Sequence, residues 1–167
     1  MAELVDAPSW GGGAFGCAGS SPAFGIFLLF SYNLNMKTGI VIVDHGSKRD
    51  ESNAMLVRVA KLFSDKYSGQ YEIVEPAHME LAEPSIATAY RKCVEKGAEN
   101  IIICPFFLSR GKHWKEDIPS LADEAAKEHP NTKYHVALPL GVDSLILDLI
   151  DKRLSGVPQT AFKSPAS

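Results

Sequence analysis

Four short runs rich in β-branched residues alternate along one stretch of the chain with four stretches in which apolar residues recur at helical spacing. That alternation constrains the fold most, because two strands can lie parallel in one sheet only if the connection between them is long enough to cross over, usually as a helix. The first run is Gly39-Ile40-Val41-Ile42-Val43-Asp44, followed from about Glu51 to Lys66 by Met55, Leu56, Val59, Leu62 and Phe63 on one helical face. Tyr71 to Ala77 makes a second strand. Pro84 then stands where a first-turn proline belongs, ahead of Ile86, Ala89, Tyr90, Cys93 and Val94 on one face, and Gly97 closes that helix. Ile101 to Phe106 is the third strand, and a helix from about Asp117 to Glu128 carries Ile118, Leu121, Ala122 and Ala125. Tyr134 to Leu138 is the fourth, before a last helix that starts at Asp143 as N-cap and places Leu145, Ile146, Leu149 and Ile150 inward. The expected fold is α/β, a single domain with an open parallel four-stranded sheet, helices on both faces and right-handed crossovers.

The alternating region occupies residues 36–154. Residues 1–35 differ in kind: they hold no Lys, Arg or His, only Glu3 and Asp6 as charges, and six of the thirteen glycines. They are expected to form a disordered leader. The apolar patch Phe24 to Phe30 is too short to span a bilayer, and the basic residues that a secretory or organellar targeting segment requires are missing. Met36 stands directly before the first strand as the expected start of the domain. Residues 155–167, with Gly156, Pro158, Pro165 and little apolar content, are expected to be a flexible tail.

Composition mainly excludes. A chain of 167 residues, 46% hydrophobic, can bury one core of ordinary size, and its net charge of −3 argues against a general nucleic-acid or anionic-membrane binder. Cys17, Cys93 and Cys104 form no CxxC pair and no even framework, which favours a reducing compartment, with Cys93 and Cys104 as small buried hydrophobes.

The topology converts linear positions into a site. His45 follows the first strand, His78 and Glu80 the second, and His113 the third, so all four lie past strand carboxyl ends, the edge at which open α/β sheets bind ligands. Two imidazoles suit a divalent cation such as Fe2+, Co2+ or Ni2+, and a nearby carboxylate can take up protons or complete the coordination. Each residue also has a plainer reading. His45 in His45-Gly46-Ser47 can be an ordinary loop residue, and His78 can simply orient its loop. His129 and His135 read as surface or packing residues, Glu75 as a solvent charge at a strand end, and Arg110 and Lys112 as a solvated loop face. A histidine phosphatase also begins with His-Gly after a first strand, but it needs Arg before the His to hold phosphate, and here Asp44 stands there.

Four blocks carry a resemblance: Ile42 to Ser47, Glu75 to Ile86, Pro105 to Pro119 and Leu138 to Gly141. Together, in this order and over Met36 to about Leu154, they resemble the CbiX/SirB family of small class II chelatases, its plant members most of all. The resemblance implies insertion of Fe2+ into sirohydrochlorin to give sirohaem with release of two protons; cobalt or nickel insertion, or a non-catalytic metal or tetrapyrrole carrier, are the alternatives. By motif position it makes His45 the proton-accepting and metal-binding residue, with Glu80 as an acidic neighbour, and His113 the second metal ligand. Glu83 and the loop Leu108, Ser109, Arg110, Gly111, Lys112 and His113 fall at positions that contact the tetrapyrrole. A substrate bearing many carboxylates accounts for Arg110 and Lys112, joined by Lys48 and Arg49, as a basic rim on an acidic protein.

The resemblance also implies a homodimer, because bacterial relatives often join two such halves in one chain and this chain has one. Plant members carry a chloroplast transit peptide and a cysteine-rich C-terminal tail associated with an iron–sulfur cluster. No cysteine follows Leu154 here, so no cluster is expected on this chain, and chloroplast location is implied by the resemblance alone. No tightly bound cofactor is expected, Fe2+ being the substrate metal. Sirohydrochlorin is the implied partner, with no nucleic acid and no membrane.

Overall fold

Burial along the first strand alternates in destination rather than in degree. Ile40 and Ile42 enter one apolar cluster and Val41 and Val43 the other, as the period-two direction of side chains requires of a strand covered on both faces. The computed structural model describes residues 36–161, so the leader expected over 1–35 and the last residues of the expected tail, 162–167, lie outside the described residues. The elements are β1 (Thr38–Asp44), α1 (Asp50–Lys66), β2 (Ile73–His78), α2 (Ile86–Glu95), β3 (Asn100–Pro105), a π-helical turn (His113–Asp117) running into α3 (Ile118–Lys127), β4 (Lys133–Val136), α4 (Ser144–Ser155) and a short 3-10 turn (Gln159–Ala161).

The strands form one sheet in the order β2-β1-β3-β4, with every neighbouring pair parallel. One face is covered by α2 and α3: Ile86, Ala89, Tyr90, Cys93, Ile118, Ala122 and Ala125 pack with Val41, Val43, Ile101 and Ile103. The other is covered by α1, whose Leu56 and Ala60, with Phe63 beside them, meet Ile40, Ile42, Ile102 and Cys104. Full burial of side chains such as Leu56 or Ile103 stabilises the fold by about 2 kcal/mol each. The four-stranded parallel sheet with helices on both faces is therefore as expected.

Five local expectations are corrected. Met55 and Leu62, read as inward on α1, are 52% and 57% exposed, because the helix offers the sheet only the narrow stripe centred on Leu56, Ala60 and Phe63. Pro84 does not sit in the first turn of α2: Ser85 is the N-cap, accepting the Thr88 N–H at 3.3 Å, and Pro84 precedes it in a cis peptide. Glu75 is not a solvent charge but is buried and paired with Lys96 at the end of α2, which supplies the cation that a buried carboxylate needs. Helical structure after β3 begins at His113 rather than Asp117. Finally, α4 has its expected N-cap, Asp143 accepting the Leu145 N–H at 2.9 Å, yet buries none of its residues; Leu145, Leu149 and Ile150 are exposed. Helical spacing shows that a face is apolar, not which surface covers it.

Candidate active site

From β1 the chain turns to β2 on one side, and from β3 it turns to β4 on the other. The gap beyond the carboxyl ends of β1 and β3 is thus a topological switch point, where diverging loops leave a crevice. His45 leaves β1 and His113 follows β3, and the two imidazoles meet there edge to face, with ring centroids 5.0 Å apart and planes at 74°.

Glu80 reaches the same place by extension of the ladder between β1 and β2. The strands end with Asp44 opposite His78, and beyond them Met79 N–H donates to Asp44 O at 2.8 Å and Glu80 N–H to His45 O at 3.4 Å. His45 Nε2 consequently lies 2.8 Å from Glu80 Oε1. The turn carrying His45 is tightly made. Gly46 adopts φ of 80°, in the left-handed region that favours glycine, and a Cβ there would crowd His78 Cβ at 3.1 Å and Leu81 N at 3.2 Å. Asp44 Oδ1 accepts the Gly46 N–H at 2.9 Å and sits 2.6 Å from Nδ1 of the buried His78. Asn53 on α1 holds Ser47 through two hydrogen bonds of 2.9 Å, one to its N–H and one to its carbonyl.

His113 does not lie on an open loop; it is the first residue of the π-helical turn, four residues before Asp117. That spacing brings His113 Nδ1 to 2.7 Å from Asp117 Oδ2 and leaves Nε2 as the nitrogen for a ligand, the usual arrangement of a metal-binding imidazole backed by a carboxylate. Phe107 stacks near the His113 ring at 6.5 Å. The loop Leu108 to Lys112 is exposed, Arg110 lies over the Trp114 ring at 5.6 Å, and Trp114 Nε1–H donates to Ala137 O at 2.9 Å, which ties the turn to the end of β4. Lys48 and Arg49 are exposed beyond β1.

The structure therefore brings His45, Glu80 and His113 together and extends the loop of Leu108, Ser109, Arg110, Gly111 and Lys112 directly ahead of His113. Glu83 is placed otherwise: its carboxylate accepts the Ser85 N–H at 2.7 Å and the Thr88 hydroxyl at 3.2 Å, at the N-terminus of α2. The three converging groups are neighbours rather than a cage, His45 bonded to Glu80 and in edge-to-face contact with His113; among the described residues no group of three or more His, Cys, Asp or Glu is arranged to hold a metal ion. His45 Nε2 is engaged by Glu80, and His113 Nδ1 by Asp117. Sequence reasoning missed Asp117, Asn53 and Trp114. A helix begun at His113 would have put Asp117 on the same face, whereas no periodic signal links Asn53 to Ser47.

Known proteins bear on this arrangement. The chloroplastic sirohydrochlorin ferrochelatase of Arabidopsis thaliana is 53% identical over 116 residues, covering 70% of this chain and 51% of that one. The chain thus spans about half the length of that relative. The sirohydrochlorin cobaltochelatase of Sulfurisphaera tokodaii is 32% identical over 126 residues, 75% of this chain and 98% of that one. Among solved structures, SirB from Bacillus subtilis with Fe3+ superposes with a TM-score of 0.67 at 28% identity, covering 74% of this chain and 49% of SirB. The CbiX family profile matches residues 39–157, from the second residue of β1 to just beyond α4, so both histidines, all of the sheet but Thr38 and all four helices fall inside it. By that match the chain belongs to the CbiX family.

Proposed function

We propose that the chain is a sirohydrochlorin ferrochelatase, a lyase that inserts Fe2+ into sirohydrochlorin to give sirohaem and two protons, acting through one chelatase domain over residues 36–154. The observation that carries this reading is the meeting of His45 and His113 at the switch point with Glu80 on His45 Nε2. The ferrochelatase names of the Arabidopsis relative and of a Bacillus subtilis relative 31% identical over 125 residues support the reaction and the metal.

His113 presents Nε2 to the ion, backed by Asp117. Metal binding at His45 Nε2 would move the ring hydrogen from Nε2 to Nδ1 and displace Glu80, and the freed carboxylate would stand next to the reacting centre as a proton acceptor. Each of two pyrrole N–H groups gives up its proton as an Fe–N bond forms, so two protons must leave for each iron inserted. The exposed Arg110 and Lys112, joined by the exposed Lys48 and Arg49 beyond β1, meet the carboxylates of the macrocycle. Open coordination suits the task, since a full set of ligands would retain the ion. The chloroplastic Arabidopsis relative supports a chloroplast location. Among the described residues no helix is long and apolar enough to cross a membrane.

The protein acts as a two-fold homodimer in this reading. SirB is matched over 49% of its length, whereas the Sulfurisphaera relative is matched over 98%, so one fold of this size stands as half of some relatives and the whole of others. The exposed apolar side of α4 is the surface for the second copy.

Multiple-turnover assay under anaerobic conditions tests the reaction, with sirohydrochlorin and Fe2+, Co2+ or Ni2+ in parallel. Many equivalents of sirohaem per chain, with Fe2+ the fastest metal, are expected. A yield that stops at one equivalent identifies a carrier, and a faster rate with Co2+ identifies a cobaltochelatase.

A further inference from the structure

Asp44 and His78 are the last residues of β1 and β2, paired in register; Asp44 directly precedes His45, and His78 stands two residues before Glu80. His78 is 0% exposed, and its Nε2 has no hydrogen-bond partner among the described residues. A buried imidazole with one nitrogen unpartnered is less stable than an apolar side chain of similar size, so its presence calls for a gain elsewhere. What the imidazole supplies and an apolar residue does not is Nδ1, 2.6 Å from Asp44 Oδ1. An ionised carboxylate only accepts, so Nδ1 carries the hydrogen of that bond.

The same Asp44 oxygen accepts the Gly46 N–H at 2.9 Å, closing the turn on which His45 rides. Next to this, the backbone bond nearest the site, Glu80 N–H to His45 O, is long at 3.4 Å. The side-chain pair thus adds a second short link, beside the backbone bond of Met79 N–H to Asp44 O at 2.8 Å, between the two chain segments that deliver His45 and Glu80. Gly46 lies against His78 as well, where even a methyl group would crowd His78 Cβ. We infer that Asp44 and His78 form a positioning pair that holds His45 in the orientation facing Glu80 and His113. The inference rests on the proposed roles of His45 and Glu80. Neither Asp44 nor His78 touches substrate in it; both act through His45.

The test uses the full chain with His78→Leu, which keeps volume and removes the donor, and His78→Asn, whose amide places a donor near the Nδ1 position. Three readouts are taken: the thermal melt, kcat and KM for sirohydrochlorin, and the ring-nitrogen signals of His45 in long-range 15N–1H spectra. His78→Leu is expected to lower kcat about tenfold with KM for sirohydrochlorin changed less than about twofold, and to average the two His45 ring nitrogens that are distinct in the parent; His78→Asn is expected to restore most of both. Unchanged His45 signals and kcat in a folded His78→Leu overturn the inference. So does an equal loss of kcat and melting temperature that His78→Asn does not repair, which marks a merely structural residue. Should His78→Leu fail to fold, His78→Gln, which stays polar but offers no donor at Nδ1, is read by the same criteria. A parent protein without turnover refutes the chelatase reading instead, and the His45 spectra then still decide the positioning claim.

Discussion

The rings of His45 and His113 lie 5.0 Å apart although they are delivered by different central strands whose connections leave in opposite directions. That closeness follows from parallel pairing of β1 with β3, in register from Thr38 opposite Asn100 to Val43 opposite Pro105, which ends the two strands at one level. The ladder runs one bond further, Phe106 N–H to Val43 O at 2.7 Å, before the chains part. The two imidazoles are thus held by the most buried part of the molecule while facing outward themselves.

Glu83 has its carboxylate on the Ser85 N–H and the Thr88 hydroxyl, where a negative charge favours the N-terminus of α2. Glu83→Gln should lower stability by about 0.5–1 kcal/mol, read as a fall of a few degrees in the thermal melt. An unchanged melt would show that the contact with α2 does not stabilise the fold.

Leu147, Ile150 and Leu154 recur at helical spacing on α4 and are 58%, 51% and 67% exposed. Light scattering at micromolar concentration should give the mass of a dimer. Ile150→Glu with Leu154→Glu should give a monomer, because two charges cannot be buried in an apolar contact. A parent protein that is monomeric at that concentration would refute the two-fold assembly.

The Cys93 thiol is fully buried, and burial pushes its pKa from 9.0 up to about 12, with the Glu75 carboxylate adding to the rise and Lys96 opposing it. Native protein should leave Cys93 unlabelled by iodoacetamide at pH 8, and label it in denaturant, as read by peptide mass mapping. Because the folded pKa is raised, the thiol favours the folded state fully below pH 9.0, and that contribution is lost as pH rises from there toward 12. Rapid native labelling at pH 8 would contradict the burial.

The sheet was legible because continuous apolar runs such as Ile101 to Ile103 have few alternatives to a doubly covered strand, and the strands fall within about two residues of their expected bounds. The placement of His45, Glu80 and His113 followed from strand direction alone. What was not legible depends on partners distant in sequence. Glu75 becomes buried only because the end of α2 brings Lys96 to it, and the bond of Asn53 to Ser47 depends on how α1 leaves the turn. The contact of His113 with Asp117 lay hidden behind Pro119, which suggested a later helix start; Pro119 stands in the first turn of α3, directly after the π-helical turn that closes with Ile118 N–H on the His113 carbonyl. The outward face of α4 has no cue in local periodicity at all.

The central claim is that His45 and His113 together handle the metal, and the initial rate of sirohaem formation in His45→Ala and His113→Ala, taken beside each variant's circular dichroism melt, tests it most directly. Neither ring is part of the buried core, the side chains being 40% and 46% exposed, so both variants should fold. Each should lose about a hundredfold or more in rate, while Glu80→Gln, which keeps a polar neighbour on His45, should lose about tenfold. Rates near the parent value in folded His45→Ala and His113→Ala would contradict the account.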